Sequence, residues 1–293
     1  MWYNILMIID NKYTIPHTIM FSRMDGKGRL PALSFVSTAQ DLAANHYSSG
    51  GLSVPHLQKM GFTWIIAKQH FVFHNYPLGG DRLILQTWAR QPKGLFCFRD
   101  YQYSYSVNGK KSCLQVAIAD EIANEGQNVD LTVKKENIIL SASSSWMILD
   151  LKKERPVKIS AETMGNLGFC EDKALETSFS KIPLSDDWDI QTEFSPSLLD
   201  IDINSHVNHP NYVHRILSYM DYDFCKNKLM QSLETYFISS ALFGDKLICR
   251  CKTLDDVCLH SIIRADGTEV FRARTVWKPE EMLSRKLKID SDD

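Results

Sequence analysis

Residues 77–88 read PLGGDRLILQTW, and residues 241–252 read ALFGDKLICRCK. The two stretches share a Gly-Asp pair, at Gly80 and again at Gly244, followed by a basic residue and an apolar run. A Gly-Asp pair suits a tight turn, and alternating apolar and polar residues are typical of a half-buried strand. Because such a turn is common, the sequence around each copy must show whether a whole unit is repeated.

A helix-forming stretch precedes each copy. Residues 31–46 place apolar side chains at the three- and four-residue spacing of a helix, and their leading proline suits the first helical position. Residues 210–224 also begin with proline and show the same spacing, with Asn208 or His209 as the predicted cap. The pattern predicts one unit, a long helix followed by antiparallel strands, used twice.

Strands are predicted after each Gly-Asp pair. They span 82–90, 95–107 and 144–151 in the first half, and 246–253, 257–265 and 269–278 in the second. Asn108-Gly109 and Asp266-Gly267 fit two-residue hairpin turns. In each half, a helix wrapped by a curved antiparallel sheet would bury both apolar faces.

Two polar segments interrupt this pattern. The stretch at about 113–139 is rich in acidic and amide residues and is interpreted as an inserted excursion. The mixed polar stretch at 152–187 is interpreted as an interdomain linker, with a helix predicted at Glu171–Ser178.

Composition and charge exclude several classes of protein. The 293 residues are 44% hydrophobic and 23% charged, as in soluble globular proteins, and the formal net charge is only −2. This charge balance gives no support to a nucleic-acid partner. No apolar run reaches the roughly 18 residues of a membrane-spanning helix, and the N-terminus lacks the features of a signal peptide. We therefore expect no membrane insertion.

Seven scattered cysteines indicate free thiols, which fits a reducing cytoplasm. Cys249 and Cys251 form a CxC pair within an alternating strand pattern, and we predict ordinary strand packing there rather than a metal site. His206, His209 and His214 are close in sequence, but the last two do not share a helix face, so no metal site is predicted there either. The sequence also has no Gly-rich phosphate loop, no GxSxG and no CxxC.

The stretch with most reactive side chains is residues 199–217, LDIDINSHVNHPNYVHRIL. Asp202, Asn204, His206 and Asn208 alternate with other residues, so an extended chain presents all four on one face. The following helix would bring its unpaired amides and positive dipole end beside them. One interpretation is carbonyl chemistry, in which the amides polarise a thioester or ester oxygen, His206 moves a proton and Asn204 holds a water. The other is a polar loop with a capping Asn and a surface His.

The run Asp202-Ile203-Asn204-Ser205-His206-Val207-Asn208 resembles the D-x-N-x-H-V-N signature of acyl-acyl carrier protein (acyl-ACP) thioesterases, which include plant plastid enzymes and bacterial relatives. The resemblance covers about 21–277, apart from the excursion. It implies an α+β fold, the tandem (double) hotdog, in which two helix-wrapped antiparallel sheets form an intrachain pseudo-dimer. The implied domains are an N-terminal hotdog at 1–155, a linker at 156–187, a catalytic C-terminal hotdog at 188–285 and a polar tail at 286–293.

The resemblance also implies a single active site in the second half, because the first half has MDGKGRLP where the second has DINSHVNHP. Asp202, Asn204 and His206 match catalytic residues of the family. The family's catalytic Glu aligns with Ser240, so this chain departs from the pattern at one catalytic position. If the alignment is shifted, Glu234 is the nearest acidic substitute, on the same strand face but about 20 Å away.

Three hypotheses follow from Ser240. In the first, Asp202 or His206 activates water and Ser240 only places it. In the second, Ser240 is a nucleophile in a relay with His206 and Asp202. In the third, the protein binds acyl chains without hydrolysing them.

The implied function is hydrolysis of the thioester of fatty acyl-ACP, releasing free fatty acid in fatty acid biosynthesis in the cytoplasm, with no cofactor and no metal. The first half is expected to supply the acyl-chain pocket. The implied partner is acyl carrier protein, the expected state is a monomer or homodimer, and the missing plastid transit peptide favours a bacterial source. The alternatives are an acyl-CoA thioesterase and a non-catalytic acyl or carrier-protein binding module. Candidate basic contacts for the carrier protein are Lys27, Arg29, Arg90 and Lys93.

Overall fold

A computed structural model describes residues 7–106, 131–176 and 179–280 of the chain. Its helices are α1 (Ala32–Ser49), α2 (Val54–Lys59), α3 (Ala161–Met164), α4 (His209–Ser218) and α5 (Tyr222–Cys225). Its strands are β1 (Met7–Ile9), β2 (Lys12–Thr18), β3 (Phe62–Phe73), β4 (Arg82–Ala89), β5 (Cys97–Tyr105), β6 (Ile138–Asp150), β7 (Arg155–Val157), β8 (Ile190–Phe194), β9 (Lys228–Phe237), β10 (Leu247–Leu254), β11 (Val257–Arg264) and β12 (Glu269–Pro279). In these residues, no helix is both long enough and apolar enough to cross a membrane.

The chain divides into two compact units. The first contains the described residues up to Ile65 together with Phe73–Glu176. The second contains Ile66–Val72 from strand β3 and the described residues after Glu176.

In the first unit, helix α1 packs on an antiparallel sheet in the order β1-β2-β4-β5-β6, with β7 also paired to β6. The buried side chains of α1 recur every three or four residues, and Phe35 stacks on Tyr103 of β5 with ring centroids 6.0 Å apart. This confirms the helix predicted at 31–46. Pro31 is the N-cap rather than the first helical residue, and the helix continues to Ser49.

In the second unit, α4 packs on a sheet in the order β3-β9-β12-β11-β10-β8, to which β3 contributes residues 68–72. Tyr212 of α4 stacks on Phe271 of β12, with ring centroids 5.3 Å apart. The single helix predicted at 210–224 is wrong, because α4 ends at Ser218. The Asp221 carboxylate then accepts the amide of Phe224 at 2.7 Å and starts the separate helix α5.

The repeated Gly-Asp pair forms the same turn in both units. The Asp81 carboxylate accepts the backbone amide three residues before it at 2.8 Å, and the Asp245 carboxylate does so at 3.0 Å. Gly80 and Gly244 both have φ of +84°, a conformation that favours glycine. The six strands predicted after the two turns are present as β4, β5, β6, β10, β11 and β12.

The helix predicted at Glu171–Ser178 is wrong for its described residues, 171–176, which contain no helix. This stretch is instead tied to β4 and β5: the Trp88 indole donates to the carbonyl of Asp172 at 2.8 Å, and the amide of Ala174 donates to the Asp100 carboxylate at 3.2 Å. The Asn108-Gly109 turn, most of the excursion and the polar tail lie outside the described residues.

Candidate active site

The signature run folds as a tight turn, so the extended conformation assumed for it is wrong. The amide of Asp202 donates to the carbonyl of His206 at 2.8 Å, and the amide of Ser205 donates to the carbonyl of Asp202 at 3.0 Å. Ser205 has φ of +62°. The chain therefore reverses direction between Asp202 and His206, and simple alternation does not determine where their side chains point.

The Asp202 carboxylate explains why the turn forms. Its Oδ1 accepts the backbone amide of Asn204 at 2.8 Å and that of His206 at 3.3 Å. Its Oδ2 also lies 3.4 Å from the side-chain nitrogen of Asn204. Aspartate side chains commonly compete with regular strand pairing in this way. Asp202 thus brings the three signature residues together on one turn.

His206 has a ring available for chemistry. The ring is half-buried and makes no hydrogen bond within the described residues. The next residue, Val207, is buried, and its amide donates to the carbonyl of Ala241 at 2.9 Å. The backbone at His206 is therefore fixed while its ring can meet a water or a substrate.

Ser240 lies beside the signature turn, since it directly precedes Ala241. The Ala241 amide donates to the Tyr212 hydroxyl of α4 at 3.0 Å, and Arg264 donates to the Ser240 carbonyl. In the part of the chain that the structure describes, no hydrogen bond joins the exposed Ser240 hydroxyl to the His206 ring. The fold brings position 240 to the signature, but the contact that a serine nucleophile needs is absent there.

Glu234 is not available as a substitute base. It is buried on β9 and forms an ion pair with Arg274, with 3.1 Å between Arg274 Nε and Glu234 Oε1. The expectation that it shares a strand face with Ser240 is also wrong, because β9 ends at Phe237.

The N-terminus of α4 follows the signature turn, as expected, but offers fewer amides than expected. The helix begins at His209, with Asn208 as its N-cap. Pro210 has no backbone N–H to donate, and the N–H of Asn211 already donates to the carbonyl of Asn208 at 2.9 Å. The positive end of the helix dipole therefore remains as the main polarising element at this point.

Neither neighbouring histidine competes with His206. Burial lowers the pKa of His209 to about 3, so its ring is neutral near pH 7 and is a weak base. His214 is exposed on α4. In the described residues these histidines form no group with metal-ligand spacing.

Asp200, which sequence reasoning missed, joins the segment before the signature turn to α4. Its buried carboxylate accepts the amide and the hydroxyl of Ser197, both at 2.7 Å, and pairs with Arg215 of α4 at 2.7 Å. Burial acts to raise the pKa of Asp200, but the hydrogen bonds from Ser197 and the Arg215 guanidinium outweigh it and hold the pKa below its usual value. The Ser197-x-x-Asp200 spacing of a capping box was the available signal.

Asp25 of the first unit forms the same turn as Asp202. Its Oδ1 accepts the amides of Lys27 at 2.8 Å and Arg29 at 3.0 Å, and its backbone amide donates to the carbonyl of Arg29 at 2.8 Å. Gly28 donates to the carbonyl of Asp25 and has φ of +74°. Lys27 and Arg29 thus stand where the second unit has Asn204 and His206.

Comparison with known proteins agrees with this architecture. The family model described as acyl-ACP thioesterase N-terminal domain matches residues 10–119, and that of the C-terminal domain matches residues 185–279. A palmitoyl-acyl carrier protein thioesterase of Gossypium hirsutum is 23% identical over 269 residues, covering 84% of this chain and 58% of that protein. A dodecanoyl-[acyl-carrier-protein] hydrolase of Cinnamomum camphora is 24% identical over 264 residues, covering 82% of this chain and 61% of that protein. The chain thus spans less than two thirds of each of these two relatives.

Two solved structures show the same fold. An acyl-ACP thioesterase from Bacteroides thetaiotaomicron superposes with a TM-score of 0.74 at 19% identity, covering 92% of this chain and 98% of the other. The 12:0-ACP thioesterase from Umbellularia californica gives a TM-score of 0.77 at 18% identity, with the same coverage. The chain belongs to the acyl-ACP thioesterase family, and the double hotdog fold is confirmed.

Proposed function

We propose that the protein hydrolyses the thioester of fatty acyl-acyl carrier protein and releases free fatty acid. One observation supports this most directly: the Asp202 turn holds Asn204 and His206 at the N-terminus of α4, beside the segment that contains Ser240. The family's relatives have names that describe this reaction. A thioester is already an activated acyl group, so the reaction needs no cofactor.

The proposed reaction uses water as the nucleophile. His206 accepts a proton from water while the water oxygen bonds to the thioester carbon, and Asn204 orients that water. The positive end of the α4 dipole stabilises the oxygen that becomes negative. The carbon–sulfur bond then breaks, and the proton on His206 passes to the leaving sulfur. The products are a fatty acid and the free thiol of the carrier.

Asp202 and Ser240 have supporting roles in this proposal. Asp202 fixes the turn through its two amide contacts and so holds Asn204 and His206 in place. Ser240 places water, because its hydroxyl is exposed and makes no hydrogen bond to His206 within the described residues. We therefore assign the base to His206 rather than to a serine relay.

The first unit is proposed to receive the acyl chain, because its Asp25 turn has no histidine or asparagine. Lys27 and Lys93 are exposed and suit contacts with an acidic carrier protein. Arg90 is a poor candidate, because it lies 2.9 Å from the fully buried Asp100 carboxylate. The six cysteines described are all free thiols, which supports a reducing, cytoplasmic location.

The test is hydrolysis of acyl-ACP over a panel of medium and long chains, with the matching acyl-CoA series alongside. We expect the wild type to hydrolyse acyl-ACP. The rate of hydrolysis by His206→Ala should be lower by about 100-fold or more. His214→Ala, which removes an exposed ring from the same region, should retain activity and serves as the control. Faster turnover of acyl-CoA would favour the acyl-CoA thioesterase.

A non-catalytic binding module is the second candidate, and the serine at position 240 favours it. In that case the wild type would retain acyl-ACP without releasing fatty acid at any chain length. That result would contradict the proposed hydrolysis.

A further inference from the structure

The β10–β11 hairpin brings together three metal-ligating side chains that the reaction does not use. Cys251 lies directly opposite His260 in the strand register, and Cys258 precedes His260 by two residues on the same face. The two sulfurs and a ring nitrogen of His260 all lie within 4.8 Å of one another. All three residues are buried. No other group of this kind occurs among the described residues.

The surroundings of His260 fit the tautomer that binds a metal through Nδ1, in which Nε2 donates to Thr275. Its Nε2 is 2.9 Å from the hydroxyl of Thr275, whereas its buried Nδ1 has no hydrogen-bond partner among the described residues. The Thr275 oxygen also accepts the indole N–H of Trp277 at 2.9 Å, which fixes its position. Metal-binding histidines typically donate their second ring nitrogen to such a partner, leaving a lone pair on the first. A buried ring nitrogen with no partner is otherwise unfavourable.

We propose that Cys251, Cys258 and His260 Nδ1 bind a thiophilic metal ion of the zinc class. Two thiolates and one imidazole form a soft donor set that suits zinc better than magnesium or calcium. Around tetrahedral zinc such donors lie roughly 3.6–3.8 Å apart, so the cluster must contract by about 1 Å at most. Binding releases the two thiol protons, and the fourth position is left for water.

The proposed metal has a structural role. It joins β10 to β11, and through Thr275 it connects the hairpin to β12. The site is separate from the signature turn and does not depend on the proposed thioesterase activity. The CxC motif is only half involved, since Cys249 lies outside the cluster.

Cobalt substitution in the full-length, tag-free chain tests the proposal. After chelator treatment, the wild type should bind one equivalent of Co²⁺ and show a thiolate-to-cobalt charge-transfer band with the intense visible bands of a tetrahedral site. Cys251→Ser and Cys258→Ser should each lose about half or more of the charge-transfer intensity, because each removes one of the two thiolates, and Cys249→Ser should retain all of it. A spectrum of octahedral cobalt in the wild type, or an unchanged band in Cys251→Ser and Cys258→Ser, would overturn the site.

A second measurement needs no variant and therefore does not depend on whether a substituted chain folds. Native mass spectrometry of the wild type with Zn²⁺ should show one added zinc and two lost protons per chain, and zinc but not Mg²⁺ should raise the thermal midpoint. A mass that does not change on adding zinc would show that the three side chains are ordinary core residues.

Discussion

Asp25 and Asp202 hold equivalent turns in the two units, each accepting the backbone amides two and four residues further along the chain. The equivalence extends beyond the turn. Leu30 donates to the carbonyl of Pro77 at 2.9 Å, just as Val207 donates to that of Ala241 at 2.9 Å. The scaffold of the site is therefore present twice, whereas the Asn and His side chains are present once.

Replacing the two aspartates should separate the turn's structural role from its chemical role. Asp25→Ala and Asp202→Ala each remove an acceptor of two amides, so each should lower the free energy of unfolding by about 2 kcal/mol. Only Asp202→Ala should reduce kcat, by about 100-fold. Urea unfolding and acyl-ACP kinetics measure the two effects, and an equal loss of kcat in both variants would contradict the assignment.

Substitutions of Ser240 should distinguish placement of water from nucleophilic attack. Ser240→Ala should lower kcat by less than about tenfold, because His206 supplies the base. Ser240→Glu should raise kcat, since it adds a carboxylate base beside His206. The measurement is single-turnover release of fatty acid. Complete loss of activity in Ser240→Ala, with an acyl-enzyme forming in the wild type, would instead establish a serine nucleophile.

Asp200→Asn should weaken the anchor of the signature turn. The variant loses the ionic partner of Arg215 while staying nearly isosteric, and the expected cost in the free energy of unfolding is about 2 kcal/mol. Asp223→Asn removes an exposed partner of Lys226 and should cost little. Comparable thermal midpoints for the two variants would show that the Asp200–Arg215 pair does not anchor the turn.

Asp100 should make stability depend on pH. Burial raises its pKa to about 6, although Arg90 acts in the opposite direction. An unfolded aspartate has a pKa of about 4, so the folded state holds the proton more tightly. Below about pH 4 the bound proton makes its full contribution to the free energy of unfolding. This contribution, about 3 kcal/mol, is lost as the pH rises through about 6.

Asp100→Asn is the control for this effect, because it cannot titrate. From pH 4 to pH 7 the free energy of unfolding of the wild type, measured in urea, should fall by about 3 kcal/mol more than that of the variant. Parallel pH profiles for the two proteins would show that the Asp100 pKa is not raised.

The repeated elements could be predicted from sequence because their signals are local. The Gly-Asp turns, the amphipathic pattern of α1 and the alternating strands each report a conformation that neighbouring residues determine. The end of α4 could not be predicted, because the apolar spacing continues to Phe224 while a single side-chain bond from Asp221 begins a new helix. The helix predicted at Glu171–Ser178 is wrong for a different reason. Contacts with Trp88 and Asp100 override the helical preference of this stretch.

The geometry of the site could not be predicted from the sequence pattern. The signature pointed to Asp202, Asn204 and His206, but strand alternation gave the wrong backbone, because the Asp202 carboxylate captures two amides of its own segment. The Asp200–Arg215 pair depends on helix packing, and the cluster of Cys251, Cys258 and His260 depends on strand register. A sequence spacing alone does not contain that information.

The Asp202 turn also affects how the protein ages. An asparagine followed by a small residue deamidates when the next backbone nitrogen attacks the asparagine side chain and closes a succinimide ring. At Asn204 that nitrogen belongs to Ser205, and it is engaged with the carbonyl of Asp202 at 3.0 Å. The attack requires this hydrogen bond to break, so the turn protects Asn204 against slow conversion to aspartate during storage.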